Sequence, residues 1–143
     1  MPHRTVVKKP EDLPAIVDLI HDCWFDIVDV VFHPRQSLLS IRYKRPLPEK
    51  ARIIRRLLFL KWIEVPLVEC FLEVSHVIES RVEDQQGIRL YDLNTISYDS
   101  SSNTVRVDTG IPTTITMKVT QFEISIEETD NVVEIETKRA VFV

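Results

Sequence analysis

Glycine is nearly absent, at 2 of 143 residues. That scarcity excludes several functions at once. A P-loop, a dinucleotide-binding turn and a G-x-S-x-G nucleophile elbow all need glycine where backbone must approach a phosphate or turn sharply. Cysteine is equally scarce, with Cys23 and Cys70 alone. Two thiols in a chain of this length are not a disulfide framework. No long hydrophobic run exists either. The most apolar window, Leu57 to Leu72, is interrupted by Lys61, Glu64, Pro66 and Glu69, so it fails as a membrane span. The N-terminal stretch Met1–Pro10 has no apolar segment behind its basic residues and does not read as a signal peptide. A cytoplasmic location is the expectation, with no membrane partner.

What remains is ordinary globular material. Apolar residues make up 44% and charged residues 28%, with mean hydropathy near zero. A chain of 143 residues is expected to fold as a single domain, 1–143, around one core. Charge is unevenly spread. Residues 1–61 hold 12 Lys and Arg against 7 Asp and Glu, whereas residues 62–143 hold 6 against 15. Either the two signs face each other in the fold, the simpler reading, or they form separate faces for partners.

The segment Pro10–Asp22 reads as a helix. Leu13, Ile16, Val17 and Ile20 make one apolar stripe. From Trp24 onward the pattern is β. Trp24–Phe32 reads as a strand, His33–Gln36 as a turn, and Leu39, Ile41 and Tyr43 as the return of a hairpin. Lys44–Lys50 is a proline-containing loop, and a strand is expected from about Arg55 to Glu64. Val68–Val82 alternates most clearly and predicts a long strand, bent in the middle. Glu83–Gly87 turns, and Ile88–Tyr98 and Thr104–Thr109 are extended. In Thr113–Glu127 the apolar positions shift from odd to even, which a bulge or a break between two strands explains equally well. Glu128–Asn131 reads as a turn before a last strand around Val133 and Ile135. The expected fold is mainly β (α+β), an antiparallel β-sandwich or partly open barrel with one N-terminal helix.

Few residues suggest chemistry. His21-Asp22-Cys23 could supply a base and a nucleophile only if the backbone folded the two side chains together; as a helix end leading into a strand they need no such role. Cys70 and His76 share a strand face, but six residues of strand span about 20 Å, too far for one metal ion. No metal site, catalytic residue or cofactor is expected. Trp62, Cys70 and His76 are the candidate ligand-binding residues, as inward positions of a curved β shell. Asp26 and Asp29 are unusual in a Val- and Phe-rich strand. Either a bulge turns them outward or they need a partner such as Arg42.

Residues 42–61 contain Arg42, Lys44, Arg45, Lys50, Arg52, Arg55, Arg56 and Lys61 against Glu49 alone. Tyr43, Phe59 and Trp62 fall among or beside them. The overall pI of about 5.6 argues against a nucleic-acid surface. Arg52, Arg55 and Arg56 are therefore candidates for docking an acidic protein partner.

The run Leu19-Ile20-His21-Asp22-Cys23-Trp24-Phe25-Asp26-Ile27, with the strand cadence from Leu72 to Ile126, resembles small bacterial β-rich proteins of unknown function, some near toxin-immunity families. The resemblance implies a small intracellular binding protein rather than an enzyme, and it brings no functional residue with it. The functional expectation is a non-enzymatic protein-interaction module that binds a partner or itself, with a homodimer as one form. The alternative is a carrier of a small apolar ligand in a β-shell cavity.

Overall fold

The computed structural model describes residues 3–84 and 86–141. Its centre is strand β6 (Leu60–Val74), long enough to take different neighbours at its two ends. The C-terminal half pairs with β4 (Leu38–Pro46), Leu39 facing Val74 and Pro46 facing Leu67. The N-terminal half pairs instead with β5 (Arg52–Leu57). Along the other side runs β11 (Ile124–Val141), from Val74 to Leu60.

The remaining strands extend this unit. They are β1 (His3–Val7), β2 (Trp24–Asp26), β3 (Val30–His33), β7 (Val77–Glu83), β8 (Leu90–Asp99), β9 (Thr104–Thr109) and β10 (Thr114–Val119). They form one antiparallel sheet in the order β1-β11-β6-β4-β2-β8-β9-β10-β7, with β3 added to β4 and β5 to β6. The sheet does not close into a barrel. Leu72 on β6 and Val107 on β9 are both fully buried in one core cluster. Among the described residues no second sheet covers them, so the sheet curls over its own face. At the far end β7 returns beside β4, where the Val77 N–H donates to Ser37 O at 2.8 Å. The mainly antiparallel architecture with one α-helix near the N-terminus matches the sequence pattern.

That helix, α1 (Leu13–Ile20), follows a 3-10 turn at Pro10–Asp12 and lies against β8. Leu13, Ile16 and Ile20 are its buried stripe. It stops where Asp22 takes a left-handed φ of 64°, and the Asp22 N–H donates to Leu93 O. The chain then enters the sheet.

Several boundaries differ from the sequence reading. Trp24–Phe32 is not one strand, because Ile27–Asp29 forms a 3-10 turn in which the Asp26 carboxylate accepts from the Val28 N–H. The expected bend in Val68–Val82 is a tight turn at Ser75-His76, with His76 at φ 60°. After it the inward face changes: Val77 is buried while Ile78 is exposed. The parity shift in Thr113–Glu127 is a break between β10, which alternates regularly, and β11, which opens on the buried Ile124, Ser125 and Ile126. Glu128–Asn131 does not turn the chain. It is a bulge within β11, where Thr129 Oγ1 donates to Glu69 O and accepts from the Asn131 N–H. The strand continues because β6 is long enough to hold it on both sides of the bulge. One glycine has a clear steric reason: a Cβ at Gly110 would collide with the Asp92 carboxylate, which also accepts from the Ile111 N–H.

Candidate functional site

Trp62, Cys70 and His76 do not share a cavity. Eight residues of one strand put Trp62 about 27 Å from Cys70. Cys70 is fully buried, and its thiol faces Val68 O at 3.9 Å. Burial, then the nearby Glu128 carboxylate, pushes that thiol up to about 12. It lines a small pocket of about 160 Å³ with Tyr43, Arg45 and Glu128. His76 sits in the tight turn, its ring 3.9 Å from Glu123. Trp62 lies in the N-terminal half of β6, away from the core.

His21 and Cys23 also diverge. The His21 ring lies 3.3 Å from Asn94 O through Nδ1 and 3.5 Å from Asp22 through Nε2. The Cys23 thiol points to Leu19 O inside the core, and burial pushes it up to about 11. A thiol held protonated at neutral pH, with no imidazole against it, is a poor nucleophile. Asp26 and Asp29 both find cations. Asp26 pairs with Arg89 at 2.5 Å, and that pairing, with the Val28 N–H, holds its carboxyl below the usual range. Asp29 lies 3.9 Å from Arg42, which itself binds Glu69 at 2.6 Å.

Two surface features stand out. The first is an arm. Beyond Pro66, strands β5, β6 and the end of β11 run on as a three-stranded ribbon, and every residue of β5 is exposed. The ribbon from Leu60 to Pro66 is about 20 Å long. Leu58 and Phe59 make the hairpin turn at its tip and are 82% and 71% exposed. Leu58 adopts φ 53°. A two-residue hairpin with positive φ at its first central position ordinarily takes glycine there, and leucine in that region is strained by contact between its Cβ and the backbone. The tip residue is therefore unfavourable both in its backbone conformation and in its contact with water.

Behind the tip the arm is basic. Residues 52–64 and 136–141 carry Arg52, Arg55, Arg56, Lys61, Lys138 and Arg139 against Glu64 and Glu136, a net of +4 on a chain whose total is −4. The register sets Arg55, Trp62 and Arg139 in one cross-strand row, with the Arg55 guanidinium 5.1 Å from the Trp62 ring centroid. Arg52 pairs with Glu64 at 3.0 Å. The structure thus brings Arg52, Arg55 and Arg56 together on the arm with Trp62. Sequence reasoning missed Lys138 and Arg139. The adjacent Lys-Arg pair in an acidic half was visible, but only the pairing of β11 with β6 places it beside Trp62.

The second feature is a groove of about 550 Å³ beside the seam where β2 meets β4 at the single pair Trp24 and Lys44. Phe25, Tyr43 and Leu67 are buried residues of its lining, and Trp24 and Leu90, both exposed, form apolar wall. Its charged lining is five carboxylates, Asp22, Asp26, Asp29, Glu134 and Glu136, against Arg42, Lys44 and Lys138. Among the described residues no three His, Cys, Asp or Glu side chains converge as metal ligands would, and no helix is long and apolar enough to cross a membrane.

Comparison with known proteins finds no matching family model, no matching curated protein and no matching solved structure.

Proposed function

We propose that this protein is a non-enzymatic protein-interaction module whose docking surface is the arm. The observation that carries this reading is Leu58 at the tip, a strained leucine almost wholly in water. A glycine or asparagine would suit both the turn and the solvent better. Residues held in unfavourable backbone conformations recur where function, not folding, selects them. The flanking arginines and Trp62 add residue types enriched at binding hot spots. The apolar-carrier reading has less support, since the larger groove is rimmed by eight ionisable side chains and the smaller pocket is below the volume of ordinary ligand sites.

The test is site-specific photo-crosslinking in the source cells. A photoreactive amino acid at position 59 is compared with one at Ser101, in the exposed loop between β8 and β9. The expected result is a discrete crosslinked polypeptide from position 59 and none from 101. Equal or absent crosslinking at the two positions would reject the arm as a docking surface.

A further inference from the structure

The arm and the groove are complementary to each other. Taking the arm as the docking surface, we propose that its partner is a second copy of this chain, with the arm of each copy seated in the groove of the other.

The tip offers Leu57, Leu58 and Phe59, all exposed. The groove offers Trp24 and Leu90, which are 48% and 56% exposed. Behind the tip stand Arg55, Arg56 and Lys61; the groove is lined by five carboxylates and three cations, and of the five Asp26 is already held by Arg89 from outside the lining. Two of the groove's ion pairs, both made by β11, are solvent-facing. Glu134 is 3.5 Å from Lys44 and Glu136 is 3.7 Å from Lys138, with all four side chains 40–54% exposed. Such pairs are worth little, so they can exchange partners when an arginine arrives.

Position completes the case. Glu134, Glu136 and Lys138 belong to β11, and Pro46 and Leu67 lie at the root of the arm. The groove therefore opens where the arm begins. Two copies laid with their arms antiparallel set each tip over the other's root, which is the self-complementary contact of a two-fold dimer. The obvious alternative, pairing the free β5 edges of two copies, sets Arg52, Arg55 and Arg56 against their own equivalents, and like charges across a strand pair repel.

The experiment is sedimentation velocity on the purified full chain from about 1 to 100 μM, with circular dichroism to confirm folding of each variant. The wild type is expected to dimerise, more weakly as salt rises. The arm variant Arg55→Glu/Arg56→Glu and the groove variant Glu134→Lys/Glu136→Lys are each expected to weaken dimerisation at least tenfold. Mixed in equal amounts they are expected to recover it, because each mixed pair restores opposite charge at both contacts. A wild type that stays monomeric throughout, a dimer indifferent to both variants, or a mixture that does not recover overturns the proposal. The two readings fail separately. A monomeric chain whose position 59 crosslinks a different polypeptide removes the second copy as partner and keeps the arm. A monomer with no crosslink at position 59 removes both.

Discussion

The two halves of β6 are one strand under two regimes. From Val68 to Val74 every second side chain is buried: Val68, Cys70, Leu72 and Val74. From Leu60 to Glu64 no residue is buried. Both halves are hydrogen-bonded on both sides, so backbone pairing does not distinguish them. What differs is the layer above the strand. In the body the inner face of β6 joins one buried cluster with residues of β8, β9 and β10; the residues of the arm are not part of that cluster. Charge follows the same division. In the body Arg42, Lys44 and Arg45 meet Glu69, Glu134 and Glu128 of the later strands, so the two charge halves of the chain do face each other there. On the arm Arg52 meets Glu64 in the same way, but cations outnumber carboxylates there by six to two, around Trp62. Burial makes the body a fold; its absence leaves the arm a surface.

Truncating one leucine from each region should separate body from arm by the widest margin. Leu72 is fully buried, and Leu72→Ala should cost about 2–5 kcal/mol, the range for lost transfer energy plus a cavity. Leu57, half-exposed on the arm, should cost no more than about 0.5 kcal/mol as alanine. Urea denaturation of both variants at low protein concentration measures the difference. Similar losses would mean that the arm folds back onto apolar surface.

Ion pairs give a smaller contrast of the same kind. Arg45 binds Glu128 at 2.5 Å with both side chains largely shielded, at 30% and 25% exposure. Glu128→Gln should cost about 1–2 kcal/mol, because it weakens a charge-assisted bond where water cannot fully replace it. Glu64→Gln breaks the Arg52 pair on the arm, where Arg52 is mostly in solvent, and should cost a few tenths of a kcal/mol at most. The same denaturation series tests both, and raising the salt should shrink only the second effect.

Much of the body was legible because its signals are periodic. Val68 to Val74 alternates with Phe71 as the one apolar residue on the outer face, and Leu13, Ile16 and Ile20 repeat at helical spacing. The errors fall where local chemistry and the structure part company. Ser75-His76 carries no glycine or proline, so a tight turn with His76 at positive φ looked like a bend. Glu128–Asn131 has the composition of a turn, but pairing with a long neighbour makes it a bulge. The arm was half visible. Its basic run was evident, yet Leu58-Phe59 is apolar and gives no turn signal, so the hairpin read as one strand. The groove was not visible at all, because its lining comes from β2, β4, β6, β8 and β11, which only the sheet order unites.

The buried thiols put a pH signature on the body alone. Cys23 and Cys70 are held up to about 11 and about 12, from an ordinary value of 9.0, and burial raises Tyr43 as well. Above pH 9 the unfolded chain releases these protons while the native chain keeps them. Stability contributed by the protonated groups is full below pH 9 and is lost as the pH climbs toward 11. The urea midpoint should fall across that window, and Cys70→Ala should flatten the fall. Thiol labelling at pH 7.5 should be slow at both positions and accelerate only in denaturant.

The smallest expected effect has the opposite sign. Leu58→Gly relieves the strain of a leucine at φ 53° and removes an exposed apolar side chain, but it also loosens the unfolded chain, which favours unfolding. These terms nearly offset, so the monomer should gain between zero and about 1 kcal/mol. A truncation that leaves a protein as stable or more stable identifies a side chain the fold does not use. Under the proposed assembly the same variant should dimerise more weakly, since the tip loses its central apolar contact. Denaturation at about 1 μM reads the first quantity and sedimentation at 100 μM the second. If Leu58→Gly instead destabilises the monomer, the tip belongs to the fold, and the distinction between body and arm does not hold at the residue where it is most exposed.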